Sequence, residues 1–156
     1  MASITLRQYN PDSGALLGNV SVLNFGRVTS GTNSNVIVFD IAFTEVTNVG
    51  NIKLGLISSG GLTVNASPID IGTDGSAGNG YFGIEHTASF NGTKASGPLS
   101  RYFAGINSTV TSADSSNVSI GNRSDTLSEY IYINITVDSS SVGAGNGAYK
   151  IFFDFS

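Results

Sequence analysis

Between residues 128 and 155 the chain contains two long stretches in which apolar and polar residues alternate. Ile131, Ile133, Ile135 and Val137 share one parity against Tyr130, Tyr132, Asn134 and Thr136. Tyr149, Ile151, Phe153 and Phe155 repeat the pattern against Ala148, Lys150 and Asp154. A period of two sends successive side chains to opposite sides of an extended backbone, so each stretch is predicted to be a β-strand with one buried face. The second stretch runs to the last residues, which predicts a unit whose final strand belongs to its core, with no further domain attached.

The rest of the chain repeats the strand signal. A short strand is predicted over 3–7, followed by a break at Asn10, Pro11, Asp12, Ser13 and Gly14, all turn formers. Extended chain is expected over 16–25, and 36–43 is apolar on nearly both faces, as a central strand would be. A turn at 48–51 precedes the alternation of Ile52, Leu54 and Leu56. Further strands are predicted near 69–71, over 81–90, over 99–106 and at 118–120, with a tight turn at Asn91-Gly92. No segment places apolar residues at i, i+3, i+4 and i+7 among good helix formers. About eight to ten strands separated by turn clusters, with little or no helix, predict an all-β fold: an antiparallel β-sandwich over 1–156, with a jelly roll or closed barrel as the alternative strand order.

Composition narrows the chemistry. A chain of 156 residues buries enough surface to need no disulfide or metal staple, and it has no Cys and no Trp. The seven basic residues, Arg7, Arg27, Lys53, Lys94, Arg101, Arg123 and Lys150, are scattered on a chain of net charge -4 and form no stripe in sequence. Nucleic acid and anionic membrane are therefore not expected partners. No apolar run approaches the roughly 20 residues of a membrane helix. The N-terminus also lacks the basic and apolar regions of a secretory signal, which predicts synthesis and folding in a cytoplasm.

Few residues invite catalysis. The single imidazole, His86, is expected on the outer face of a strand, and no Gly-x-Ser-x-Gly elbow accompanies it. Glu45, Glu85, Glu129 and eight aspartates offer carboxylate pairs, but most lie in turns, where Asp is favoured for local hydrogen bonding. The segment 70–75 resembles a calcium loop in outline, yet its third ligand position is Gly72 and its twelfth is Tyr81, so it fails as an EF-hand. A looser metal site of Asp70, Asp74 and Asn79 is the weaker reading beside a solvent-facing turn. Seven Asn-x-Ser/Thr triplets, beginning at Asn19, Asn65, Asn91, Asn107, Asn117, Asn122 and Asn134, follow mainly from a chain rich in Asn, Ser and Thr. Phe39, Phe43, Phe152, Phe153 and Phe155 are assigned to the core. Tyr81 and Tyr102, beside loops, are the binding candidates, since a ring next to polar loops suits sugar stacking or a protein interface. No catalytic residue and no cofactor is expected.

The phrase Leu23-Asn24-Phe25-Gly26-Arg27-Val28-Thr29-Ser30-Gly31-Thr32-Asn33-Ser34, ahead of the apolar strand at 36–43 and the run 50–56, resembles the opening of immunoglobulin-like sandwich domains. The ending 132–138 through 147–151 is similar to the last hairpin of such domains. Small, Cys-free proteins of this cast resemble the decoration, or head accessory, proteins of tailed-phage capsids. The resemblance implies an Ig-like sandwich and a non-enzymatic structural protein on the virion surface. It further implies the major capsid protein as partner and a homo-oligomer, commonly a trimer. A surface poor in Lys and Glu and rich in Ser, Thr, Asn and Gly fits a particle released by lysis. The alternative is a glycan- or receptor-binding module of a phage fibre or tail tip.

Overall fold

A computed structural model describes residues 2–29, 31–57, 63–64, 67–68, 80–90, 92, 118–137 and 148–156. The described residues form strands joined by turns and irregular chain, and every strand pairing is antiparallel. In chain order the strands are β1 Ser3–Tyr9, β2 Leu16–Val20, β3 Ile37–Thr44, β4 Val49–Ile57, β5 Thr63–Val64 and β6 Ser67–Pro68. They continue with β7 Gly80–Thr87, β8 Val118–Ser119, β9 Asn122–Ser124, β10 Leu127–Ser128, β11 Tyr130–Val137 and β12 Ala148–Phe155.

The large sheet runs β2-β1-β3 and then to β10 and β11, which lie end to end along β3. Beyond them, β9 pairs with β10 and β7 pairs with β11. The small sheet has the order β12-β4-β8, and β5 and β6 form a separate two-stranded ribbon. Ile37, Phe39, Ile41 and Phe43 of β3 join Ile131 and Ile133 of β11 and Ile84 of β7 on the inner face of the large sheet. They meet Ile52 and Leu54 of β4, with Ile151 and Phe153 of β12 packed alongside. This is the apolar centre of a β-sandwich, and each fully buried side chain in it contributes about 1.5–3 kcal/mol. The central strand is β3: Val38 and Asp40, on its other face, are also fully buried.

Several expectations change. β11 and β12 do not form a hairpin, because β11 pairs with β3 and β7 while β12 pairs with β4 in the other sheet. A period of two reveals which face of a strand is buried and says nothing about its neighbour. Phe155 is 59% exposed. Its strand pairs through a bulge, where Asn51 and Ile52 of β4 stand opposite Phe153 alone, and the ring of Phe155 lies 5.7 Å from that of Phe153 at the rim of the core.

The same bulge explains a misread turn. Asn51 has φ 49° inside β4, a left-handed conformation that Asn tolerates, and its side-chain amide donates to Asp154 at 2.6 Å. The extra residue lets Val49 and Ile52, three apart, both face the core. The extended chain expected over 16–25 ends as a strand at Val20, although Leu23 and Phe25 still pack against the core. The hairpin of β9 and β10, turning at Asp125 and Thr126, was not anticipated. The strand expected at 99–106 and the one near 69–71 lie outside the described residues.

Gly92 sits at φ +83° against the turn between β1 and β2, where a Cβ would lie 2.5 Å from the carbonyl carbon of Ser13 and 2.6 Å from the nitrogen of Gly14. Gly26 has φ +67° with open space around it. Gly26→Ala therefore carries the left-handed penalty alone, about 1–2 kcal/mol. Gly92→Ala adds a backbone collision, and the combined loss is expected to exceed about 3 kcal/mol. Urea unfolding of the two variants measures the difference, and equal midpoints would contradict the docking of Gly92 on that turn.

Candidate functional site

The outer face of the large sheet carries its own cluster of side chains. Register places Arg7 opposite Asp40 and Tyr9 opposite Val38 across β1 and β3, and Tyr132 opposite Val38 across β3 and β11. Tyr9, Val36, Val38 and Tyr132 are buried together, with Phe90 and Tyr130 packed against them. The Phe90 ring lies 5.6 Å from both Tyr130 and Tyr132, and Tyr9 meets Tyr130 edge-on at 5.2 Å. These are favourable aromatic geometries, and they pack the partly exposed Phe90 and Tyr130 over the buried Tyr9 and Tyr132.

Asp40 is the charge at the base of this face, and its side chain is fully buried. Arg7 grips it through both ends of the carboxylate, Nε donating to Oδ1 at 2.9 Å and Nη2 to Oδ2 at 2.6 Å. The Tyr9 hydroxyl donates to Oδ2 at 3.0 Å, and Nη2 of Arg123 donates to the same oxygen. Arg123 is itself oriented by a bond from Nε to the Ser128 carbonyl at 2.9 Å and by the Tyr130 ring, 3.9 Å below its guanidinium carbon. Such charge-assisted and cation–π contacts fix a guanidinium in place more firmly than a lone ion pair does. The hydrogen bond to Asp40 holds the Arg7 proton even more tightly than usual. Burial, followed by the charge of Asp40 and the hydrogen bond to it, pushes the Tyr9 hydroxyl above the ordinary tyrosine range.

A second polar group lies on the inner side. His86 stands opposite Ile131 and shares the face of Ile84 instead of pointing outward as expected. Its Nδ1 pairs with Oε2 of Glu129, and both side chains are half-buried. Glu129 is held by its own N–H, which donates to the Gly121 carbonyl at 2.7 Å, and its carboxylate occupies the space where a Gly121 Cβ would be. The arrangement is an imidazole–carboxylate pair at the rim of the core.

Of the residues singled out from sequence, Tyr81 lies in β7 opposite Thr136, and its backbone alone is described. Tyr102, Asp70, Asp74 and Asn79 lie outside the described residues. Among the described residues no three His, Asp or Glu side chains gather closely enough to hold a metal ion. Asn134 is fully buried, so that triplet is no glycosylation acceptor in the folded chain, whereas Asn19 is exposed. The Arg7–Asp40–Arg123 group was missed. One charge inside an otherwise apolar central strand was its visible signal, because a buried carboxylate requires a cationic partner. Arg123 left no such mark, since its approach depends on the β9–β10 hairpin. No protein-family model matches the chain, and comparison with curated proteins yields no match.

Two outcomes follow from this geometry. Burial, then the nearby Glu85 and Tyr130, raises the Tyr132 hydroxyl above the ordinary tyrosine range. The unfolded chain ionises its tyrosines near pH 10 while the fold retains these protons, so stability is complete below about pH 10 and falls as the pH rises through the higher folded value. Urea midpoints between pH 8 and 11 should fall less steeply in Tyr132→Phe than in the natural chain, and parallel slopes would refute the assignment. Separately, a Cβ in Gly121→Ala would lie 2.7 Å from the Glu129 carboxyl carbon, the end of a flexible side chain. The substitution should displace the carboxylate from His86, shifting the imidazole 15N resonances, at a cost under about 1 kcal/mol because the pair is part-exposed. Unchanged His86 resonances would show that the pair does not depend on that space.

Proposed function

We propose that the protein is a non-enzymatic structural virion protein, a decoration or cement protein on the outer surface of a tailed-phage capsid. Its partner is the major capsid protein. The observation that carries the reading is the outer face of the large sheet, where the partly exposed Phe90 and Tyr130 stand beside Arg7 and Arg123 over the buried Tyr132. Aromatic rings and arginine are the residues that supply most of the energy at protein interfaces, because they combine large contact area with few freely rotating bonds. A symmetric shell repeats its sites, so the reading includes a homo-oligomer, with a trimer about a three-fold position as the arrangement to test.

Co-sedimentation with assembled shells, compared with free capsid subunits, tests it. The protein should travel with shells and not with subunits, and Phe90→Ala should weaken binding by about tenfold or more, the effect of losing one interface anchor. Failure to sediment with any matching particle would overturn the assignment. The same aromatic face also favours a second reading, a glycan- or receptor-binding module of a fibre or tail tip. A glycan array positive for the natural chain and negative for Tyr130→Ala would select that reading.

A further inference from the structure

We infer that Arg7 and Arg123, held side by side by Asp40, form a binding site for a carboxylate carried by an acidic side chain of a protein partner. The site itself rests on geometry, and the source of the carboxylate rests on the docking reading above.

Both guanidinium Nη2 atoms donate to one oxygen, Oδ2 of Asp40. They therefore lie within two hydrogen-bond lengths of each other, at most roughly 6 Å. Like charges at that separation repel, and they remain together because a fully buried carboxylate lies between them. Asp40 is already well supplied: Oδ1 accepts from Arg7, and Oδ2 accepts from Arg7, Tyr9 and Arg123. The arginines do have capacity left. Arg7 spends Nε and Nη2 on Asp40, and Arg123 spends Nε on Ser128 and Nη2 on Asp40. Among the described residues no hydrogen bond falls on Nη1 of either. Their side chains are 27% and 17% exposed, so the pair is reachable from solvent yet fixed at its base.

Charge decides the class of ligand. Two guanidiniums and one carboxylate leave a surplus of one positive charge on a molecule whose net charge is -4. A carboxylate cancels that surplus, whereas a phosphate dianion would leave a half-buried site negative. Glu85, an acid on the same face, stands opposite Tyr132 on β7. That is two strands from β3, roughly 10 Å away, and further along the sheet than the β9–β10 hairpin that carries Arg123. Planar guanidinium donors match planar carboxylate acceptors, and the Tyr130 ring beneath Arg123 keeps one of them oriented. Most of the ordering that usually opposes binding is already complete in the free protein.

The probe is sodium acetate, added to the 15N-labelled full chain and compared with sodium chloride and inorganic phosphate at matched ionic strength. The readout is the arginine side-chain N–H resonances. Acetate should shift the Arg7 and Arg123 signals along a saturating curve, with chloride giving only a small linear drift and phosphate no tighter response than acetate. Arg123→Lys keeps a cation beside Asp40 but removes the planar donors, and it should lose the saturation while keeping a dispersed, folded spectrum. Should that variant fail to fold, the titration of the natural chain decides alone. An acetate response no different from chloride overturns the site, and saturation by phosphate with none by acetate overturns the carboxylate assignment. Saturation by acetate in a protein that never sediments with shells would sink the capsid reading and leave the site standing. A protein that binds shells but ignores acetate would do the reverse.

Discussion

Asp40 is the constraint around which the large sheet is arranged. A carboxylate in the middle of a central strand, closed off from water, costs several kcal/mol unless cations and donors surround it. Its donors come from β1, through Arg7 and Tyr9, and from β9, through Arg123. The strand order and register that supply them are therefore specified along with the charge. Sliding β1 by one residue against β3 would move Arg7 to the inner face, exchange it for an apolar neighbour and leave Asp40 short of its main partner. The apolar core favours burial of one face of each strand in a general way, and the ion group selects one register among those that satisfy it.

That distinction sets how much was legible in the chain. β3 was visible because both its faces are apolar, and β11 was visible because Ile131 and Ile133 alternate with tyrosines. Both kinds of pattern report burial directly. What alternation cannot report is partnership, which is why β11 and β12 read as neighbours although they sit in opposite sheets. Bulges were hidden for a related reason. Asn51 has the composition of a turn and occupies a left-handed position, as a turn residue would, but the chain on either side of it remains paired to β12. Phe155 keeps the parity of Phe153 and stands opposite the buried Val49, and its exposure reflects its place at the end of the strand, which alternation does not report.

The outer-face cluster was harder to read than the core because it is assembled from residues far apart in sequence. Arg7, Asp40 and Arg123 come from three strands, and seven scattered basic residues gave no reason to bring two of them together. Asp40 alone was conspicuous. A buried acid needs at least one cation, and it has two, so the second cannot be explained by neutralisation. That excess leaves the group with one net positive charge beside the aromatic rings.

Both polar groups border an irregularity in the ladder along β3, and Arg123 is itself the extra residue of a second one between β9 and β10. Between Leu127, opposite Ala42, and Ile131, opposite Phe39, three residues span a gap that two fill on β3. Ser128 repairs the interrupted ladder from its side chain: its hydroxyl accepts from the Ile41 N–H at 2.8 Å and donates to the Glu129 carbonyl at 2.7 Å. The Ser128 carbonyl accepts from Arg123 and helps set that guanidinium beside Asp40. The next residue, Glu129, reaches His86 on the opposite face. A regular strand through 127–131 would have one residue fewer here, so Ser128 and Glu129 could not both keep these positions while Ile131 stayed in the core. The bulge thus converts a continuous β-sheet into a scaffold with a charged group on each side, and the hydroxyl of Ser128 keeps that conversion from leaving the buried Ile41 N–H unsatisfied.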